Sequence, residues 1–234
     1  MSIPMIAVQA PSVRGQSTQA AFEQLRDYII RGILPPGVWM IEAEISNMLG
    51  MSRTPVRGAL QRLHREGYVQ SSGSGAKTRM AVTPLTQSDA QELYALIGHV
   101  EGLGARQTAL LPQRQRQAVV KVLREINGNL RAQTMPKQIF ELDLAFHRTL
   151  LEAASGPRVM EIHATLQPQA ERYWRLYSDA ILGELGQSAR EHNEILKALR
   201  EGDASAAEQG VQLNWSNGFA RLAAMMASGK RGRW

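Results

Sequence analysis

Apolar residues recur at helical spacing along most of the chain. Phe22, Leu25, Ile29 and Ile33 predict a helix over 18–32, ended by Leu34-Pro35-Pro36-Gly37. A short helix is predicted over 42–49, stopped by Gly50. A third is predicted over 53–66, where Ser52 or Thr54 supplies a cap and Pro55 fits the first turn. The period then changes. Tyr68–Ser72 and Lys77–Val82 are short extended runs on either side of Gly73-Ser74-Gly75, which predicts a β-hairpin closed off by Pro84. From residue 87 only helical periodicity remains. Helices are predicted over 87–109, 112–132, 136–155, 157–181, 185–201 and 203–228, with Pro112, Pro136, Gly156-Pro157, Gly183 and Gly202-Asp203 as punctuation. The expected fold is mainly α. An N-terminal winged helix-turn-helix, three helices plus a β-hairpin wing, precedes an all-α antiparallel six-helix bundle. The expected organisation is a flexible arm at 1–17, the winged helix at 18–84, the helical domain at 85–228 and a basic tail at 229–234.

Charge changes this picture more than bulk composition does. The 234 residues are 44% hydrophobic and 21% charged, ordinary for a globular protein. The net charge of +6 is too small to name a partner. Its distribution is informative. Residues 51–82 hold Arg53, Arg57, Arg62, Arg65, Lys77 and Arg79 against Glu66 alone. The helical remainder is close to neutral, apart from Lys230, Arg231 and Arg233 near the C-terminus. Cysteine is absent, so a metal site would have to use His and carboxylates. No apolar run approaches the roughly 18 residues of a membrane span. No basic start precedes the first apolar stretch, so no signal peptide is predicted. A soluble cytoplasmic protein with no membrane partner is expected.

The third predicted helix carries the first candidate chemistry. Val56, Leu60 and Leu63 make a core face. Thr54, Arg57 and Gln61 make an opposite polar face, and Arg53 projects from the N-terminal end. A helix N-terminus favours phosphate, and Arg can bond guanine O6 and N7 together. The Gly-rich hairpin tip lets backbone approach a groove. Lys77 and Arg79 on the returning strand can contact phosphates. A solvated basic helix would show the same charges. The combination of helix, Gly turn, Arg-bearing helix and Gly-tipped hairpin favours DNA binding.

These residues resemble the N-terminal signature of GntR-family bacterial transcription regulators. The matching pieces are Leu34-Pro35-Pro36-Gly37, Glu42-Ala43-Glu44, Leu49-Gly50, Ser52-Arg53-Thr54-Pro55-Val56-Arg57, Ala59-Leu60, Leu63 and Glu66-Gly67. The resemblance implies that Arg53 and Arg57 contact operator DNA, with Ser52, Thr54 and the wing's Gly75 close by. It also exposes a departure: the family usually has Glu where this chain has Gly58. A helical Gly costs about 1 kcal/mol relative to Ala, which predicts a softer recognition helix.

In the helical part, three predicted helices place polar groups inside apolar stripes. Asp143 and His147 are i, i+4 among Phe140, Phe146, Leu150 and Leu151. His192 shares a stripe with Ala189, Ile195, Leu196 and Leu199, and Asn214 with Val211 and Leu222. Burying such groups unpaired costs several kcal/mol, so they need partners or a metal. A bonded Asp–His pair, with His192 serving a neighbour, explains the spacing more simply than an ion does. Imidazole and carboxylate would suit Zn²⁺, Ni²⁺ or Mn²⁺, and spacing does not choose among them. Gly98, Gly102 and Gly104 lie mid-helix, which suggests close packing there. His64, His99 and His163 fit no stripe or motif. Only His99 falls near the expected pocket wall.

This half resembles the FCD effector domain of the FadR-type GntR branch. The matching text is Glu92-Leu93-Tyr94, Glu101-Gly102, Ala105-Arg106, Asp143-x-x-Phe146-His147-Arg148, Ser155-Gly156, Glu191-His192-x-x-Ile195 and Gly202-Asp203-x-x-Ala206. The resemblance implies one divalent metal held by Asp143, His147 and His192, with Asn214 standing where the family usually has His. It also implies a small-molecule effector. Ile97 occupies a position that often holds an Arg for an effector carboxylate. Arg148, Arg172 and Arg175 are candidate substitutes. Tyr173, Trp174, Tyr177 and Trp215 could line a pocket for an aromatic or larger apolar effector, with Ile97 and His99 on its wall. The expected function is a non-enzymatic, ligand-responsive repressor that binds a palindromic operator as a homodimer. The alternatives are a metal-dependent enzyme with a fused basic module, or a nonspecific dimeric DNA binder. Against the enzyme, no general base or nucleophile accompanies the trio.

Overall fold

The computed structural model describes residues 17–72, 79–181 and 185–228, and the chain divides into two compact units, at Thr86/Gln87. The expected arm, Gly75 and Lys77 of the wing, and the basic tail therefore lie outside the described residues, apart from Ser17. The first unit contains α1 (Thr18–Ile30), α2 (Glu42–Leu49), α3 (Arg53–Arg65), β1 (Val69–Ser72) and β2 (Arg79–Val82). The second contains α4 (Gln87–Ala109), α5 (Gln113–Ala132), α6 (Pro136–Glu152), α7 (Pro157–Ile181), α8 (Leu185–Glu201) and α9 (Ala204–Ser228).

In the first unit, the Ser17 Oγ accepts from the Ala20 N–H at 3.1 Å and so caps α1. Gly50 adopts a left-handed conformation, φ 63°, which ends α2 and turns the chain into α3. Ser52 stands at the N-cap of α3, but its side chain makes no capping bond. Phe22, Leu25, Ile29, Ile45, Val56, Leu60 and Leu63 close into one core with Tyr68 and Val82. The hairpin is antiparallel, pairing Val69 with Val82 and Ser72 with Arg79. A third extended stretch joins it. Met40 N donates to Met80 O at 2.8 Å, and Val82 N to Val38 O at 2.9 Å. Sequence pattern did not reveal this stretch, because three residues after Pro-Pro-Gly are too few to show alternation.

Gly58 has a packing reason. A Cβ built there would lie 2.8 Å from Thr18 Cγ2, so the missing side chain lets the start of α1 approach α3. Arg62 closes the same junction. Its guanidinium lies 3.7 Å from the Phe22 ring centroid and bonds both Gln19 and Glu66. It thus serves the fold rather than the free basic surface.

In the second unit, α4 packs along α9. The mid-helix glycines of α4 allow this. A Cβ at Gly98 would meet Trp215 Cβ at 3.1 Å and one at Gly102 would meet Gln212 Cγ at 3.2 Å, both on α9, while one at Gly104 would meet Leu151 Cδ1 of α6 at 2.5 Å. Asp203 caps α9, its Oδ1 accepting from Ser205 N and Ala206 N. Ala105, Leu123, Phe146, Leu150, Ile195, Leu199 and Val211 form the central core, drawn from five of the helices.

Candidate functional site

The reading face of α3 divides as its spacing predicts. Val56, Leu60 and Leu63 are buried, while Ser52, Arg53, Thr54, Arg57 and Gln61 are exposed. Arg79, on β2, is also exposed. The structure adds a partner for Arg57 from α2. Arg57 Nε donates to Glu42 Oε1 at 3.0 Å, and Nη2 donates to Oε2 at 2.9 Å. This bidentate bond, with help from Arg53, holds the Glu42 carboxyl below its ordinary range. Glu42 uses the Nε side of the guanidinium. Nη1 and the second hydrogen of Nη2, the edge that matches guanine O6 and N7, are left for another partner.

In the second unit, the three helices that sequence pattern singled out do converge. One ligand atom each from Asp143, His147 and His192 lie within 4.8 Å of one another. His192 is wholly buried and stacks on Phe146, ring centroids 3.8 Å apart and planes 4° from parallel. Its Nδ1 faces Asn127 Oδ1 at 3.1 Å. Asn127 Nδ2 is committed to Ala189 O and Asn193 Oδ1, so its oxygen must face the ring. His192 therefore donates from Nδ1 and carries its lone pair on Nε2. Burial, only partly offset by Asp143, pushes its pKa down to about 3, so it stays neutral. Nε2 is buried without a hydrogen-bond partner, 3.6 Å from Asp143 Oδ1. A buried lone pair aimed at a carboxylate is costly alone and suited to a cation. The residues fit a divalent metal.

His147 is oriented by Glu101 on α4, a wholly buried carboxylate. Glu101 Oε2 accepts from His147 Nδ1 at 2.6 Å and from Trp215 Nε1 at 2.7 Å, and Oε1 accepts from His163 Nε2 at 2.7 Å. Burial would raise the Glu101 pKa, but His147 and His163 outweigh it and hold it at about 2. Burial would likewise lower His147, but Glu101 and Asp143 raise it to about 9. With Nδ1 on Glu101, the Nε2 of His147 is the atom presented to the trio. Such carboxylate–histidine pairs commonly orient metal ligands.

A cavity of about 90 Å³ opens beside this cluster. Asp143, His147, Asn214 and Ser188 supply its polar wall. Tyr94 and Trp215 form one aromatic edge, Phe140 and Trp174 another. Phe140 and Trp174 stack at 4.1 Å, and Tyr94 meets Trp215 edge-on at 5.2 Å. Arg221 also reaches the cavity, paired with Glu191.

The second unit matches the model of the FCD domain over residues 92–213. The first matches that of bacterial regulatory proteins of the gntR family over residues 17–77. The chain belongs to the GntR family of transcription regulators, with an FCD domain. A probable D-xylose utilization operon transcriptional repressor of Paenarthrobacter nicotinovorans is 27% identical over 213 residues, covering 87% of this chain and 89% of that one. The transcriptional repressor NanR of Cronobacter sakazakii is 25% identical, covering 92% and 88%. The solved structure of E. coli McbR/YncC shares the fold, with a TM-score of 0.65 at 20% identity over 88% of this chain and 97% of that one.

The expected effector residues of this GntR regulator disperse. Among Ile97, His99, Arg148, Arg172, Tyr173 and Trp215, the cavity is lined by Trp215 alone. Ile97 is buried in α4. His99 and Arg148 sit on exposed helix faces, bonded to Ala95 O and Glu152. Arg172 is buried and bonds Gln169, and the Tyr173 hydroxyl donates to Asp89. Arg175 is taken by Glu171. The Tyr177 side chain lies outside the described residues. Trp174 lines the cavity as expected. Sequence reading missed Glu101 as an orienting group, His163, Asn127, Glu191 and Arg221. Glu101 and Glu191 lay inside the quoted family motifs, which was their available signal. His163 and Asn127 carried none, because each matters only through a partner more than 60 positions away.

Proposed function

We propose that this regulator is a homodimeric repressor that reads a palindromic operator with α3 and the wing, and releases it when a small effector occupies the bundle. Arg53 and Arg57 reach base edges, Thr54 and Gln61 flank them, and Ser52, Gly75, Lys77 and Arg79 hold the backbone. The observation that carries the reading is the split face of α3, apolar residues inward and Arg53, Thr54, Arg57 and Gln61 outward. Glu42 pre-orients the Arg57 fork.

Self-association is supported by the outer face of α4. Leu96 and Leu103 are exposed seven residues apart on α4, Leu110 is exposed just past its end, and Leu213 is exposed on α9. Apolar side chains at that period are what a second helix would cover. In the bundle, Asp143, His147 and His192 would hold a divalent ion, which would supply Lewis-acid affinity for an oxygen-bearing effector. Glu101 and Asn127 fix the two imidazoles. Tyr94, Trp215, Phe140 and Trp174 favour an effector with an apolar or aromatic body. Release requires that the effector prefer the DNA-free state.

The test begins with the full-length chain selecting duplexes from a randomised pool. A palindromic consensus is expected, bound by two chains, and weaker binding is expected once an effector is added. A non-palindromic or sequence-independent product would sink the reading, as would tighter operator binding with effector.

A further inference from the structure

Asn214 looks at first like a lost ligand. Its surroundings say otherwise. It is buried on α9 and lines the cavity beside Asp143 and His147. Its Nδ2 donates to Glu191 Oε2 at 2.8 Å. Glu191 is held by Asn217 Nδ2 at 3.0 Å and by Arg221, whose Nη1 lies at 2.9 Å and Nη2 at 3.3 Å. A carboxylate can only accept, so the amide has one allowed orientation and its oxygen faces away from Glu191. That oxygen is left to the cavity wall that Asn214 shares with Asp143 and His147. Since Glu101 already occupies Nδ1 of His147, the trio is left with its Nε2.

One edge of the amide is thus anchored, and the other is free to serve the cavity it shares with Asp143 and His147. A histidine with one nitrogen anchored would do the same, but would present nitrogen. We infer that Asn214 is a built oxygen donor, oriented by Glu191, which makes this chain's ion site a two-nitrogen, two-oxygen set biased toward oxygen-preferring divalent ions such as Mn²⁺. The inference rests on the reading that Asp143, His147 and His192 hold an ion. Imidazole suits Zn²⁺ and Ni²⁺, whereas carbonyl and carboxylate oxygens suit Mn²⁺. Zn²⁺ still binds more tightly in absolute terms. The gap between the two ions is what the oxygen narrows.

The test uses the full-length chain stripped with a chelator, titrated separately with Mn²⁺ and Zn²⁺. Calorimetry or a competing indicator reads each affinity, and thermal melting of the ion-free chain checks folding. Asn214→Leu should weaken Mn²⁺ by about 10–100-fold, as loss of a positioned donor does. Asn214→His should strengthen Zn²⁺ relative to Mn²⁺ by about tenfold or more. Unchanged Mn²⁺ affinity in Asn214→Leu, or an unchanged Zn²⁺/Mn²⁺ ratio in Asn214→His, would overturn the inference. His192→Ala separates the two claims. If that variant binds both ions like the parent chain, the trio is not the site, and the underlying reading fails rather than the role of Asn214 alone.

Discussion

The two units place their polar chemistry oppositely. In the first, the candidate residues lie on an exposed face, and their neighbours in sequence supply the core beneath. Arg57 is 63% exposed. In the second, the candidate residues are mostly buried, with Asp143 half-buried at the cavity. His192 is 0% exposed and Glu101 1%. A surface group can be removed without disturbing what supports it. A buried one is held by partners that lose their own hydrogen bonds when it goes. Function and stability should therefore separate in the reader and coincide in the bundle.

The largest effect should come from Glu101→Ala. It strands the donors of His147, His163 and Trp215 and should destabilise the second unit by about 3–5 kcal/mol, read by chemical denaturation. A loss near zero would show that the three donors find water or other partners. Next, His192→Ala and Asp143→Ala should each weaken divalent-ion binding by about 100-fold, measured by calorimetry on stripped protein. Effector-free discrimination between operator and scrambled DNA should stay the same. Loss of discrimination there would break the separation. Glu42→Gln should lower discrimination by less than removal of Arg57 does, while raising affinity for scrambled DNA, because a negative charge leaves the DNA-facing surface. Equal changes on both duplexes would remove its orienting role. The smallest effect concerns Gly58. Gly58→Ala should gain up to about 1 kcal/mol of stability in a Thr18→Ala background and less in the parent chain. The melting temperatures of the four proteins in that cycle give the coupling.

The same contrast explains what was legible in sequence. Fold class came through because both units follow period: 3.6 for nine helices among the described residues, and a short extended pair around glycines. Helix ends slipped by a few residues where the stop was weak. The helix expected over 136–155 ends at Glu152, before Ser155-Gly156-Pro157. The reader's face could be read from spacing, since exposure follows directly from which side of α3 is apolar. The trio could be read because i, i+4 spacing puts Asp143 and His147 together, and because polar residues stand out in an apolar stripe. The orienting groups could not. Asn127 and His163 are ordinary until α5 and α7 bring them to His192 and Glu101. Most of the expected effector residues fall away from the cavity for the same reason. Arg148 and Arg172 look like ligands in a string of letters, whereas in the fold each is turned to a neighbour on its own helix.

The central claim is that α3 reads sequence through Arg57 while the bundle's cluster does not. It is tested most directly by the ratio of affinities for the selected operator and a scrambled duplex, measured by fluorescence anisotropy at several salt concentrations for Arg57→Ala. The account predicts a drop in that ratio on the order of 10–100-fold, with melting temperature and ion binding unchanged. A ratio equal to that of the parent chain would contradict it.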